Sequence, residues 1–303
     1  MKVLITDPIH DDGLKTLKKF AEVEVATKLT NEELLERVSE FDAMIVRSST
    51  EVRKDVLDAA KNLKLIVRAG VGLDNIDLDY AEKLGIKVEN TPEAPSNAVS
   101  ELTIGLMIAW ARNIPKADKS LKKGKWMKSQ LIGTELRDKT LGLLGTGRIG
   151  CSVSEKAKAF GMNLLGFDPI KSDKFRDIGG EYSDLDTLLK KSDYVSLHVP
   201  LTPSTKHMIG EKEFEKMKNS AVLVNTARGA VVNEEALIEA LKERKIAGAC
   251  LDVYEKDPTE NKQLLNIPNV ILTPHLGASS KEAQRAAGVS AAEKIKKLLN
   301  KTG

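Results

Sequence analysis

Short runs of aliphatic and β-branched residues alternate with helix-period stretches along the whole chain, and this alternation restricts the fold more than any other feature. Runs at 3–5, 23–25, 43–46, 65–67 and 86–88 are separated by helical patterns at 12–19, 31–40, 54–61 and 78–84. Alternation of this kind builds βαβ units around a parallel sheet, because each helix returns the chain to the same sheet edge direction. The pattern then changes. Pro92 and Pro95 interrupt helix formation just before an apolar helix predicted at 98–112, where Leu102, Ile104, Leu106, Met107, Ile108 and Trp110 leave no clearly polar face. Such a helix has to be buried deeply or against a partner subunit. A second series follows, with strands predicted at 140–144, 163–167, 194–197, 221–224, 247–251 and 270–272 and a last helix at 280–299. The expected fold class is α/β, with two doubly wound parallel-sheet domains, one formed by residues 1–97 and 284–303 and the other by residues 98–283.

A length of 303 residues supplies enough chain for two cores of ordinary size. Hydrophobic residues make up 41% and charged residues 30%, with the signs interspersed and a net charge of only +3, so neither disorder nor a nucleic-acid footprint is expected. The opening Met1-Lys2-Val3-Leu4-Ile5 reads as a strand rather than a leader, and no apolar run approaches the roughly 18 residues of a membrane span. A cytoplasmic chain with no membrane partner is therefore expected. Cys151 and Cys250 fall inside apolar patterns and are read as core residues. His10, His198, His207 and His275 offer no i,i+4 pair, so no metal site is expected.

The sharpest local motif is Gly145-Thr146-Gly147-Arg148-Ile149-Gly150, placed between a strand and a helix. Glycines in this position permit a tight turn and close backbone approach to a pyrophosphate, whose charge is met by free N–H groups at the helix N-terminus. The next strand ends in Gly166-Phe167-Asp168. An acidic residue at that distance accepts hydrogen bonds from ribose hydroxyls and repels a 2′-phosphate, which selects NAD over NADP. The second domain is thus read as a Rossmann NAD-binding domain.

Catalytic residues should follow the later strands of such a domain. Three loops supply candidates: Asn225-Thr226-Ala227-Arg228-Gly229, Asp252-Val253-Tyr254-Glu255-Lys256-Asp257-Pro258 and Thr273-Pro274-His275-Leu276-Gly277-Ala278. Oxidising a 2-hydroxy acid requires a cation for the carboxylate and a base for the hydroxyl proton, while the cofactor carries the hydride. Arg228 can be the cation and His275 the base. Either Asp252 or Asp257 could orient the imidazole and stabilise its protonated form.

With these loops in place the chain resembles the D-isomer-specific 2-hydroxyacid dehydrogenase family over essentially its whole length. The likeness runs through Val46-Arg47-Ser48-Ser49-Thr50, Arg68-Ala69-Gly70-Val71-Gly72-Leu73-Asp74-Asn75, Ser100-Glu101-Leu102-Thr103, Gly124-Lys125-Trp126, Ile132-Gly133-Thr134-Glu135-Leu136 and Asn225-Thr226-Ala227-Arg228-Gly229. The stretch from Lys125 to Gly150 is similar to the branch of the family acting on 3-phospho-D-glycerate. The resemblance implies that Arg228 binds the substrate, that His275 is the acid/base and that a glutamate partners the histidine. Asp257 stands in that glutamate's place, with a shorter reach. The resemblance also implies that Asp252 lies near the nicotinamide carboxamide, and that Val71, Val199, Pro200, Thr226, Ala227, Gly277 and Ala278 line the cofactor together with Arg228 and His275. Arg47, Ser48, Arg68 and Gly70 match substrate-binding positions, the two arginines suiting a phosphate. Pro95 stands where relatives often carry a substrate-binding asparagine, and Lys128 is placed by analogy near a neighbouring subunit's site.

The implied reaction is NAD-dependent oxidation of 3-phosphoglycerate, the entry to phosphorylated serine synthesis, in a homodimer or homotetramer. A hydroxypyruvate or glyoxylate reductase would share the same Arg and His and differ only in its cleft cations. An NAD-sensing corepressor-like binding protein would also keep this fold, although the chain has no long extensions suited to scaffolding. Because the sequence ends just after the last helix, insensitivity to L-serine is expected.

Overall fold

The computed structural model describes the backbone of residues 1–302 and the side chains of residues 1–298. It divides into two compact units: Met1–Ser96 together with the segment from Ala278 onward, and Asn97–Gly277.

The first unit carries a five-stranded sheet of β1 (Lys2–Ile5), β2 (Glu22–Val25), β3 (Ala43–Val46), β4 (Leu65–Arg68) and β5 (Lys87–Asn90), in the order β2-β1-β3-β4-β5. Every pairing is parallel, the order of flavodoxin-like doubly wound sheets. All four residues of β3 are fully buried. Successive side chains of a strand point to opposite faces, so Met44 and Val46 join Leu4 and Ile66 in one core while Ala43 and Ile45 join Val3, Ile5, Leu65 and Val67 in the other. This is why these strands read as continuous apolar runs. Each large aliphatic side chain so buried contributes about 1.5–3 kcal/mol.

The second of these cores is closed by the helices Asp11–Leu17 and Lys281–Thr302, the latter contributing Ala287, Ala291, Ala292 and Ile295. The two helices touch at glycines: a Cβ on Gly13 would lie 2.6 Å from the Gly288 carbonyl carbon. Arg285 Nε donates to Asp12 at 2.6 Å, and Lys294 Nζ to Glu89 at 2.7 Å. Ser280 caps the long helix by accepting from the Ala283 N–H at 3.1 Å. The segment 278–283, which the sequence pattern groups with the second domain, is therefore the lead-in and first residues of a helix of the first unit.

The second unit carries β6 (Thr140–Leu144), β7 (Asn163–Phe167), β8 (Glu181–Tyr182), β9 (Tyr194–Leu197), β10 (Val222–Asn225), β11 (Gly248–Leu251) and β12 (Val270–Leu272). The order β8-β7-β6-β9-β10-β11-β12 is the Rossmann order with one strand added. The sheet has seven strands rather than the six that its apolar runs predict. The strand added to the Rossmann order is β12, at the far edge; the one the sequence does not predict is β8, which is two residues long, pairs with Leu165 and Gly166, and carries no hydrophobic run to announce it.

Helix Ser96–Ala111 lies on one face of this sheet, with Ile104, Leu106, Met107 and Ala111 buried among Leu141, Leu143, Val224 and Cys250. Trp110 sits so close to Gly248 that a Cβ there would come within 1.9 Å of the indole. The apolar character of this helix is thus largely absorbed inside the unit. Cys151 and Cys250 are both buried, as their positions in apolar patterns predict. No helix among the described residues is long and apolar enough to cross a membrane.

Candidate active site

The glycine loop starts where β6 ends. Gly145 has φ +95°, a left-handed conformation open to glycine, and a Cβ there would lie 2.6 Å from the His198 carbonyl oxygen. A Cβ on Gly150 would fall 2.1 Å from the Gly145 carbonyl, so the loop closes on itself only because both positions lack side chains. Gly147 differs, since a Cβ there would meet open space. It is the N-cap of helix Arg148–Ala159, and no side chain caps that helix. First-turn N–H groups without a side-chain cap, facing a space bounded by glycine, are what a pyrophosphate requires. The residues present fit a dinucleotide.

Asp168 directly follows β7, beside this loop. Its Oδ2 accepts from the Thr146 N–H at 2.7 Å and from the Thr146 hydroxyl at 3.3 Å, while Oδ1 accepts from the Ile170 N–H at 2.8 Å. These bonds fix the plane of a half-exposed carboxylate and leave lone pairs for a diol. Tyr182, on the two-residue β8, bridges the same region: its hydroxyl lies 2.7 Å from the Thr146 hydroxyl and accepts from the Ser172 N–H at 2.7 Å. His198 follows β9, with Nε2 2.9 Å from the Ser196 hydroxyl. Burial pushes its imidazole down to about 3, so the ring is neutral and adds no positive charge next to the glycine loop. Val199 and Pro200 continue this segment as a half-buried and an exposed residue.

The three loops expected to carry the chemistry follow β10, β11 and β12. Asn225, fully buried, shapes the first: its Oδ1 accepts from the Ala227 N–H at 3.1 Å and its Nδ2 donates to the Arg228 carbonyl at 2.9 Å. Thr226 is held by a 2.9 Å contact between its hydroxyl and that of Thr103. Arg228 is half-buried and directs one guanidinium nitrogen to the Ala227 carbonyl at 2.6 Å.

Asp252 and Asp257 take different tasks. Asp252 is buried, with Oδ1 accepting from the Thr273 hydroxyl at 2.5 Å and the Leu276 N–H at 2.7 Å, and Oδ2 accepting from the Gly277 N–H at 2.8 Å. It organises the loop that holds His275. Asp257 meets the imidazole itself, its Oδ2 lying 2.7 Å from His275 Nδ1. The other oxygen, Oδ1, accepts from the Tyr254 N–H at 3.2 Å. The aspartate therefore reaches the histidine directly, and His275 itself adopts a left-handed backbone (φ +54°). Burial, with Asp252 and Asp257 nearby, pushes the Tyr254 phenol up to about 12, and its hydroxyl donates to the Thr273 carbonyl at 2.9 Å.

Chemically, a carboxylate on Nδ1 holds the imidazole in the tautomer that leaves Nε2 free to accept a proton. It also stabilises the imidazolium once that proton has arrived. The guanidinium of Arg228 supplies positive charge from the adjacent loop.

The remaining candidates belong to the first unit. Arg47 and Ser48 follow β3, Arg68 ends β4, and Gly70 and Val71 come next. Asp7 accepts from the Arg47 N–H at 2.5 Å, and the buried Asn75 donates to the Arg47 and Thr50 carbonyls at 2.8 and 2.6 Å. The Arg68 guanidinium lies over Gly70, where a Cβ would come within 2.1 Å of it. Ala278 opens the returning segment of this unit. No group of three or more His, Cys, Asp or Glu able to hold a metal ion occurs among the described residues.

Residues 104–277 match the family described as D-isomer specific 2-hydroxyacid dehydrogenase, NAD binding domain. The chain is similar to D-3-phosphoglycerate dehydrogenase of Methanocaldococcus jannaschii, 52% identical over 99% of this chain but 57% of that protein. It is also similar to hydroxypyruvate reductase of Thermotoga maritima, 48% identical over 98% of both chains. Among solved structures, D-lactate dehydrogenase of Aquifex aeolicus in complex with NAD and lactic acid superposes with a TM-score of 0.90 at 30% identity, covering 99% of this chain and 96% of that one. The chain thus spans little more than half of the first relative and nearly all of the second. The Rossmann strand order, the glycine cradle and the similarity along the whole chain together place this protein in the D-isomer specific 2-hydroxyacid dehydrogenase family.

Proposed function

We propose that this protein catalyses the NAD-dependent oxidation of 3-phospho-D-glycerate to 3-phosphohydroxypyruvate, the first step of phosphorylated serine synthesis, in the cytoplasm. The observation that carries the chemistry is the 2.7 Å contact between His275 Nδ1 and Asp257, one loop from Arg228. NAD, when bound, would supply the acceptor for the C2 hydride. His275 Nε2 takes the proton of the C2 hydroxyl, and Asp257 stabilises the imidazolium that results. Arg228 binds the substrate carboxylate and the developing carbonyl. Gly145, Gly147, Arg148, Ile149 and Gly150 receive the pyrophosphate, and Asp168 the adenosine ribose. Val71, Val199, Pro200, Thr226, Ala227, Asp252, Gly277 and Ala278 are assigned to the remaining cofactor contacts. Arg47, Ser48, Arg68 and Gly70 are assigned to the substrate, with the two guanidinium groups on its phosphate.

The choice of a phosphorylated substrate is supported by the relative from Methanocaldococcus jannaschii and by these two arginines. The relative from Thermotoga maritima, which matches in length as well as sequence, supports a second reading as a hydroxypyruvate or glyoxylate reductase. Exposed Trp126 (80%) and Ile132 (83%) are apolar surface of the kind a subunit contact covers, in keeping with a homodimer or homotetramer.

NADH formation with 3-phosphoglycerate, run beside glycerate and lactate, and NADH consumption with phosphohydroxypyruvate, hydroxypyruvate and glyoxylate, separate the two readings. Preference for the phosphorylated pair is expected, with loss of turnover in Arg228→Ala and His275→Ala. Preference for glyoxylate or hydroxypyruvate would move the function to the reductase.

A further inference from the structure

Beside the catalytic loops lies a cluster of side chains that the proposed reaction does not use: His207, Glu234, Glu255 and Asn261. His207 Nε2 is 2.9 Å from Glu255 Oε1. That same oxygen accepts from the Glu234 N–H at 3.1 Å, at the first residue of helix Glu234–Lys242, and the Glu255 N–H returns a 3.3 Å bond to Glu234 Oε2. Asn261 Nδ2 donates to Glu234 Oε1 at 2.7 Å. The segments following β9, β10 and β11 are therefore tied together through one carboxylate, that of Glu255.

In the chain Glu255 lies between Tyr254, which braces the catalytic pair, and Asp257, one member of it. On one side, the Tyr254 N–H donates to Asp257 Oδ1, and the Tyr254 hydroxyl holds the Thr273 carbonyl two residues before His275. On the other side is Asp257 itself. The Tyr254–Glu255 peptide also presses on the Arg228 turn, because a Cβ on Gly229 would lie 1.8 Å from the Tyr254 carbonyl. His207 is anchored in turn by its N–H, which donates to the Ala230 carbonyl at 2.8 Å on that same turn.

One feature argues against an incidental surface pair. His207 and Glu255 are 37% and 38% exposed, and ion pairs that open to solvent add little to stability. His207 nevertheless adopts φ +52°, a left-handed conformation unfavourable for a residue with a Cβ. His275 adopts the same conformation, so the two histidines that reach the 254–257 loop do so at the same backbone cost. Strain that brings no stability points to geometry as what is being held.

We propose that His207 and Glu255 are positioning residues: their contact anchors the 254–257 loop, so that Asp257 stays aimed at His275 Nδ1 during turnover. This rests on the assignment of His275 and Asp257 as the acid/base pair.

The test uses the whole chain carrying His207→Asn, which tolerates a left-handed backbone, Glu255→Gln, which keeps the shape without the charge, and both together. Turnover is measured with NAD and 3-phosphoglycerate. The low-field Nδ1–H proton resonance of His275, identified by its loss in His275→Gln, is followed by NMR in the free protein. Each single variant is expected to lower kcat about fivefold to tenfold, a fraction of what a general base supplies. KM for NAD should stay within about twofold, and the double variant should fall no further than the singles. The His275 resonance should broaden through faster exchange with water, while the thermal midpoint is unchanged. An unaltered resonance with unaltered kcat overturns the proposal. So does a loss of kcat that follows a loss of thermal stability while the resonance stays sharp, because the cluster would then be merely structural. If the unmodified protein fails to turn over 3-phosphoglycerate, the assigned substrate falls, and the resonance alone still decides the positioning role.

Discussion

At the scale of single residues, two histidines of the second unit are handled in opposite ways. His275 is 46% exposed in its side chain and set against a carboxylate, whereas His198 is half-buried and is pushed down to about 3 by loss of solvation from an ordinary 6.5. Replacing His275 by Ala removes the group assigned to the hydroxyl proton. A fall in kcat of about 10²–10⁴-fold is expected, with KM for NAD little changed. Steady-state kinetics at saturating NAD check this, and near-normal turnover would place the base elsewhere. Asp257→Asn should lower kcat as well, since an amide cannot stabilise an imidazolium.

His198 makes a prediction about stability instead. Its folded-state value lies below its unfolded one, so at pH values above 6.5 both states are neutral and the full stability is present. As pH falls from 6.5 toward 3 the unfolded chain takes a proton that the native ring refuses, and stability declines by at most about 1.4 kcal/mol per pH unit. Urea unfolding at pH 7 and pH 5 should therefore show a larger loss in the wild type than in His198→Gln. Equal losses would mean that the ring is not held neutral by burial.

At the scale of elements, the glycine loop and the Arg228 turn are shaped by missing side chains. Gly147→Val would project two methyl groups into the open space at the N-terminus of helix Arg148–Ala159, where no Cβ now stands. NAD affinity should fall at least about tenfold by calorimetric titration while the thermal midpoint of the free protein hardly moves, because nothing in the protein occupies that space. Gly229→Ala is the contrasting case, since its Cβ would overlap the Tyr254 carbonyl. Both stability and activity should suffer there.

Much of this was legible in advance. Strands buried on both faces announce themselves as apolar runs, and the glycine spacing with Asp168 marks the phosphate loop. Other features carry no local signal. A two-residue strand such as β8 is held by pairing to β7 alone, so Tyr182 could not be linked to Thr146 from sequence. Asp252 and Asp257 are both acidic residues after one strand, and only three dimensions separate the one bonded to loop N–H groups from the one bonded to the imidazole. His207 and Glu255 lie 48 positions apart in different loops, a distance that no periodicity bridges.

At the scale of the whole molecule, the two units differ in how the chain builds them. Asn97–Gly277 is one continuous segment with core on both faces of its sheet. It contains the glycine loop, Asp168, Arg228, Asp257 and His275. The first unit is discontinuous: Val3, Ile5, Leu17, Ile45 and Val67 are closed over by Ala287, Ala291, Ala292 and Ile295 from the far end of the chain. Fragment 97–277 expressed alone is therefore expected to unfold cooperatively and to be stabilised by NAD, by about 2.7 kcal/mol at a hundred times the dissociation constant. It should not oxidise the hydroxy acid, since it lacks Arg47 and Arg68, the residues proposed to bind the substrate. Fragment 1–96 alone should instead expose the apolar face that the last helix covers, and bind a hydrophobic dye. Thermal melts with and without NAD decide the first expectation. A fragment 97–277 that melts without a transition would mean that the two-sided core is not sufficient by itself, and that the cradle for NAD depends on the returning helix as much as the first sheet does.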